Sequence, residues 1–384
     1  MSAGRVERFA ATQIAGVLAI GTVGVLIAGL QPQLLGAMAV EGRLSAGALG
    51  DVATAELLAM GVAAGAAGAA LPATRLRRIA AVTLFVLAAL DLVTGRATGH
   101  TILFVRALAG LAEGVLVWLA IGMIVRTARP ARWAGLYLMV QTGAQFALSV
   151  ALGVWVMPGG GSGGGFAALG VVSLIALATL PWLPARFDAL DVPAGAGAMR
   201  LPARGWLALA SIALWLAFVV AVWVYAEPLG LQHGLSHRQV GTVAPLSLAM
   251  QMIGAGAAAL LAGRLRVVPV LVACAAADGV LLAAMGAPPS PAIFVAATAV
   301  FGFLWLFAMP FQLPVVIAAD PSRRAAELAG GAQLVGASLG PFVAAKLVSD
   351  ADVDGVLWFG AAALAGALLL IAAALARRSA WSVR

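Results

Sequence analysis

The sequence predicts an all-α membrane protein whose twelve transmembrane helices form two parallel six-helix repeats. Three observations carry that expectation: an apolar composition, the spacing of the apolar runs, and arginines confined to alternate connections. Of 384 residues, 63% are hydrophobic and only 10% are charged. The mean hydropathy is +1.05. A soluble domain is about half apolar and about a quarter charged, so this chain cannot cover a water-soluble globule. Disordered chains are poor in apolar residues, which excludes that class as well. The 23 basic and 15 acidic residues leave a net charge of +8. The basic residues sit between apolar runs rather than along one polar face, so no nucleic-acid partner is expected. The partner expected for most of the surface is the lipid bilayer.

A helix needs roughly 20 apolar residues to cross the hydrocarbon. Spans are expected near 9–35, 48–71, 79–95, 101–125, 133–157 and 165–183, then near 205–227, 240–262, 267–286, 291–318, 326–348 and 355–376. The run from Phe9 is far longer than a signal-peptide core, so the first span is expected to be retained. Arg5, Arg8, Arg75, Arg77, Arg78, Arg126, Arg129, Arg132, Arg186, Arg200 and Arg204 fall on one side if the spans alternate. So do Arg264, Arg266, Arg323, Arg324, Arg377, Arg378 and Arg384. The opposite loops hold Glu41, Arg43, His100, His233, His237, Arg238, Asp350, Asp352 and Asp354. The positive-inside rule puts both termini in the cytoplasm, with a bacterial inner membrane as the expected location.

The connection 185–204, with Pro193, Gly195, Gly197 and Pro202, reads as a cytoplasmic linker between a bundle at 1–184 and a second at 205–384. The segment Met157-Pro-Gly-Gly-Gly-Ser-Gly-Gly-Gly165 lacks the Lys-Ser/Thr of a phosphate loop and reads as a flexible turn. The single cysteine, Cys274, excludes an intramolecular disulfide and reads as a buried thiol. No metal-binding or cofactor motif is present: His233-Gly-Leu-Ser-His237 lies in a glycine-containing loop.

The two halves resemble each other in order and spacing. Arg75-Leu-Arg77 recurs as Arg264-Leu-Arg266, and Ala88-Ala-Leu-Asp91-Leu-Val as Ala275-Ala-Ala-Asp278-Gly-Val. Phe104-Val and Phe294-Val, then Pro130-Ala-Arg132 and Pro321-Ser-Arg323, continue the series. Parallel repeats of this kind place a solute site at the interface of the repeats near the midplane.

On these residues the chain resembles the major facilitator superfamily over nearly its whole length. Arg106-Ala-Leu-Ala-Gly110-Leu-Ala-Glu-Gly114 is similar to that family's span-four motif, and Leu71-Pro-Ala-Thr-Arg75-Leu-Arg-Arg78 to its basic loop after span two. Ala73 and Leu76 stand where the family has an aspartate and a glycine, which puts the gating role of that aspartate in doubt. Gly336-Ala-Ser-Leu-Gly340-Pro341 resembles the antiporter signature of span five, here in span eleven. The resemblance implies two six-helix halves rocking about a central cavity lined by spans one, four, seven and ten, with a functional monomer.

Ionisable groups at membrane depth mark pathways or proton relays by default. Arg106 lies about 8 Å and Glu113 about 18 Å from the outer end of span four, on nearly one helical face. Glu113 is expected to accept a proton or contact solute, with Gly110 leaving room for a ligand or a close helix. Glu56, Asp91 and Arg106 share a depth, which suggests either a proton relay with an anion anchor or a static ion pair. Asp278, the repeat partner of Asp91, is a further protonation candidate. Glu227, Glu327 and Lys346 lie at span ends, where they can snorkel to water.

Candidate solute contacts are Arg106, Gln13 and Gln31 of span one, Trp118, Gln141 and Gln145 of span five, and Trp305 and Gln312 of span ten. Gln31-Pro-Gln33 should break span one near its outer end, and Pro310 and Pro314 should kink span ten. The expected function is exchange of a small amphipathic or aromatic organic solute against protons by alternating access, as efflux. Proton symport of an organic anion held by Arg106 and a polytopic membrane enzyme stand as alternatives. No ATP-binding motif is present.

Overall fold

The computed structural model describes residues 9–124, 126–127, 130–187, 201–261, 264–288, 290–320 and 324–376. Of the sequence features above, Arg5, Arg8, Arg129, residues 188–200 of the expected linker, Arg323 and residues from Arg377 onward lie outside the described residues. So do the side chains of Arg132, Arg324 and Glu327.

Twelve long helical passes are described, with no named strand among the described residues. They are α1 (Ala11–Val40), α2 (Ala46–Ala70), α3 (Leu76–Thr94), α4 (His100–Ile124), α5 (Pro130–Ala151) and α6 (Met157–Ala176). The second set is α7 (Ala203–Val224), α8 (His237–Leu261), α9 (Val267–Gly286), α10 (Pro291–Ala319), α11 (Ala329–Ala344) and α12 (Gly355–Leu375). Most are long and apolar enough to cross a membrane. The exceptions are α3, which carries Arg77, Arg78 and Asp91, and α11, which has 16 residues. Large apolar side chains face outward along many of these helices, among them Phe104 at 67%, Leu260 at 74% and Trp358 at 78% exposure. Water would not tolerate such a surface; lipid tails require it.

The chain divides into two compact units: Met1–Leu30 with Ala55–Ala198, and Gln31–Thr54 with Met199–Arg384. In the first unit, α3 packs on α6 and α4, and α1 on α4. In the second, α8 packs on α10, α7 on α11 and α12, and α9 on α10. Residues Trp215 through Val224 of α7 are buried without interruption, as expected for a helix walled in on every face. The second half of α1, the following loop and the start of α2 belong to the second unit.

Glycines let backbones approach where lipid supplies no hydrophobic drive. A β-carbon on Gly110 would collide with the Glu56 carbonyl oxygen, and one on Gly114 with that of Met60. Between α2 and α4 the room beside Gly110 is therefore taken by a close helix. The second repeat does the same: Gly254 meets Phe303, Gly302 meets Ser247, and Gly336 and Gly340 meet the carbonyls of Ala213 and Ala217.

One expectation needs correction. Helix α1 breaks at Gly24–Val25, not at Pro32, which sits inside the regular segment Leu26–Val40. Gly24 is pressed against the Glu113 carbonyl of α4, so the bend follows a helix crossing rather than the proline. The glycine-rich stretch after Met157 turns the chain, but with helix on either side rather than as a flexible loop. A π turn at Leu152–Val156 carries α5 directly into it, and the reversal is concentrated at Gly161 (φ 56, ψ −156). Only glycine adopts those angles readily. Helix α10 continues through Pro310 and Pro314, both of which lie inside it.

The basic loop after α2 is held by the chain leaving α6. Thr74 and Arg186 form an isolated antiparallel bridge, Phe187 N–H donates to Ala73 O (2.8 Å), and Arg77 Nε–H donates to Leu183 O (2.8 Å). Ala73 thus contributes its backbone carbonyl to a tether.

Gly336→Val or Gly340→Val is expected to lower stability by about 1–3 kcal/mol through overpacking against α7. Gly330→Ala, which meets nothing within 4 Å, should be neutral. Thermal unfolding in detergent distinguishes them.

Candidate functional site

The first unit centres on Arg106, which α4 carries at full burial. Its Nη1 donates to Asp91 Oδ1 of α3 (2.7 Å) and its Nη2 to Glu113 Oε1, about two turns further along α4 (2.9 Å). Glu56 of α2 also binds the guanidinium. The Phe166 ring of α6 lies 5.1 Å from the guanidinium carbon, a cation–π contact that no local pattern announces. Four helices therefore converge on one cation. Among the described residues, Arg106 Nε and Glu113 Oε2 have no hydrogen-bond partner.

Three carboxyl groups around one guanidinium, all ionised, would leave a net double negative charge in a buried place. Lipid depth does not support that. The guanidinium is engaged on both terminal nitrogens, which leaves little of it for an anionic solute.

The other sequence candidates of the first unit take separate places. Gln13 is half-buried, and its Oε1 accepts the Ala10 N–H (2.9 Å), which caps the start of α1. Gln145 donates from Nε2 to Val25 O (2.7 Å), a carbonyl at the break in α1 that also accepts the Ala28 N–H (3.2 Å). Gln141, one turn away, is half-buried. Trp118 lies edge-on against Phe187 with ring centroids 6.5 Å apart. Phe187 also stacks beneath Arg126 (4.9 Å), so Trp118 belongs to a packed cluster at the basic end of the unit.

In the second unit several candidates are buried with polar atoms unpaired among the described residues. Gln312 of α10 is 3% exposed, and neither its amide nitrogen nor its oxygen finds a protein group. The indole nitrogens of Trp305 on α10 and Trp215 on α7, and Gln251 Nε2 on α8, are in the same condition. Trp305 packs against Trp223 of α7 at 5.9 Å, edge to face. Trp305 and Gln312 are seven residues apart and share a face of α10. Asp278 on α9 is 2% exposed with Oδ1 unpartnered. Gln31 is fully buried on the second half of α1. Buried polar atoms in native proteins are almost always paired with protein or ordered water. Unpaired donors and acceptors among the described residues thus lie on α7, α8 and α10.

Sequence reasoning missed Gln251, which the Ser247–Gln251 spacing on one face of α8 could have signalled. It also set aside Glu227 as able to reach water, whereas Glu227 is 7% exposed with Oε1 unpartnered. Lys346, assigned the same fate, is indeed exposed, and it pairs with Asp51 of α2 (2.9 Å).

Arg106→Ala should strand the three carboxyls and cost about 3–5 kcal/mol. Adding Asp91→Asn should restore part of that loss, read as a melting-temperature difference in a double-mutant cycle. Gln145→Leu should cost about 0.5–1.5 kcal/mol by removing one of the two hydrogen bonds to the Val25 carbonyl, checked in the same way.

No family model and no curated protein matches the sequence. Among solved structures, the fold matches the crystal structure of a mutant of the nucleoside transporter NupG with a TM-score of 0.71 and 12% identity. The match covers 94% of this chain and 99% of that one.

Proposed function

We propose that this chain, which has the fold of the major facilitator superfamily, is a secondary transporter. In this reading it exchanges a small, flat, partly polar organic solute against protons by alternating access. The observation that carries the reading is the set of unpaired polar atoms on α7, α8 and α10: both ends of the Gln312 amide, Gln251 Nε2 and two indole N–H groups. At membrane depth each would cost free energy unless water or a solute satisfied it. An amide presents a donor beside an acceptor, and a tryptophan offers an apolar face with one polar tip. Together they suit a heteroaromatic ring whose edge alternates donor and acceptor. A sugar would need many more partners. The structural neighbour is named as a nucleoside transporter, and a nucleoside joins such a ring to a sugar, so nucleosides and their free bases head the panel to be tested.

Proton coupling is supported by the surplus of carboxyl groups over cations. Three carboxyls face Arg106 in the first unit, and Asp278 stands in the second with an oxygen unpartnered. Antiport is favoured over symport of an organic anion because the guanidinium that would hold such an anion is already shared among carboxyls. The proposed setting is a bacterial inner membrane with both termini in the cytoplasm, following the arginine distribution, and a single chain as the working unit.

The test is purified protein in liposomes under an imposed pH gradient, with labelled nucleosides, nucleobases, aromatic acids, sugars and lipophilic cations. Gradient-driven movement of a heteroaromatic solute, lost in Gln312→Leu, is the expected outcome. Glu113→Gln should abolish gradient-driven movement and retain solute exchange. Exchange that never responds to the gradient would leave a facilitator, and absence of any counterflow would remove the transport reading.

A further inference from the structure

Glu227 opens the short helix Ala226–Gln232 that follows the end of α7 at Tyr225. The chain bends there because Tyr225 leaves helical geometry (φ −96, ψ 6), and Pro228 follows within the first turn. Composition alone puts this glutamate at a span end with water in reach. Instead, residues 31–54 cover it. A β-carbon on Gly36 would lie 3.1 Å from Glu227 Cβ and 3.2 Å from Oε2, so α1 rests on the carboxyl group itself. Glycine is the residue that permits so close an approach.

The same segment is fastened to the second unit on either side of that contact. Tyr225 Oη–H donates to Ala46 O (2.8 Å), Ala46 N–H donates to Asp350 Oδ1 (2.6 Å), and Lys346 Nζ–H donates to Asp51 Oδ1 (2.9 Å). Gly50 is pressed onto the Pro341 carbonyl and the Tyr225 hydroxyl. Among the described residues no charged group faces Glu227. The nearby charges answer to others: Glu41 and Arg43 beyond the end of α1 lie 3.5 Å apart, and His233 bonds Asp354 (2.9 Å). His237 and Arg238 at the start of α8 are exposed, Asp278 of α9 carries its own unpartnered oxygen, and α10 has no charged residue. A carboxylate so enclosed would lack both water and a counter-charge.

We propose that Glu227 is a proton-binding site that latches residues 31–54 to α7. Neutral, with its proton in place, the carboxyl accepts the backbone at Gly36. When the proton leaves to water, the carboxylate draws water in, and the segment lifts from the short helix. The latch deepens the proton-coupled transport reading and rests on it for its purpose. It adds a protonation site separate from the Arg106 cluster.

The experiment uses the full chain in liposomes with Cys274→Ala and Ala46→Cys, position 46 being 8% exposed when the segment is latched. Maleimide labelling is followed from about pH 5 to about pH 9, with and without Glu227→Gln. Both chains carry the same thiol, so its own titration cancels in the ratio of rates. The ratio of glutamate to glutamine chain should start near one and rise about tenfold with pH. A ratio constant across the range overturns the proposal. Gly36→Ala, which sets a methyl group against the carboxyl, should raise labelling at low pH without touching the ionisable group; unchanged labelling there also overturns it. Solute counterflow in the same vesicles separates the two ideas. Counterflow with a flat ratio removes the latch alone, while a rising ratio without counterflow supports the latch and removes the transport reading.

Discussion

Lipid offers a polar group no partner, and that constraint organises this molecule. Every charge at membrane depth has to be answered from within the chain. Arg106 shows how far this reaches. One guanidinium gathers carboxyls from α2, α3 and its own helix and rests on an aromatic ring of α6. The first unit is thereby tied at its centre by electrostatics rather than by apolar burial, which lipid tails would satisfy equally well outside it. The same constraint gives meaning to exceptions. Where Gln312 and Trp215 are buried and the half-buried Trp305 hides its indole nitrogen, these polar atoms find no partner among the described residues.

Close backbone approach is the second device. Without a hydrophobic drive between helices, association relies on van der Waals contact over a large area, and small residues maximise it. The α2–α4 contact at Gly110 and Gly114 has its counterpart at Gly254 and Gly302, where α8 meets α10. The repeat that the sequence shows only faintly is thus carried more clearly by where glycines allow carbonyls to be reached. The span-four motif joins both devices in one stretch: its arginine collects the charges while its glycines seat the neighbouring helix.

The architecture was legible because lipid dictates length and hydropathy directly, so twelve passes and their arginine-bearing turns could be counted. The grouping of Glu56, Asp91 and Arg106 followed from equal depth, and the face shared by Arg106 and Glu113 from helical spacing. Other features depend on contacts between residues distant in sequence. Pro32 announced a break that occurs at Gly24 instead, since the pressure there comes from the backbone of α4. Trp118 looked too deep for an interfacial belt, but its partner Phe187 arrives from the chain beyond α6. Glu227 looked free to reach water because nothing local says that residues 31–54 will fold over it. Gln13 and Gln145 were visible as polar residues in apolar runs, but their work as caps for helix backbone shows only when the carbonyls and N–H groups they meet are known.

The reversal at Gly161 has a practical corollary. Helices α5 and α6 succeed one another without an intervening loop, and the exposed Pro158, Gly159 and Gly160 beside the reversal carry little side chain for an antibody to grasp. The corner is equally unsuited to hosting a fused reporter, since an insertion would have to unwind helix on both sides. The 41–45 turn, by contrast, offers exposed side chains such as Glu41 and Ser45 that an engineered binding protein could seize. A crystallographer wishing to enlarge the polar surface of this chain would begin there.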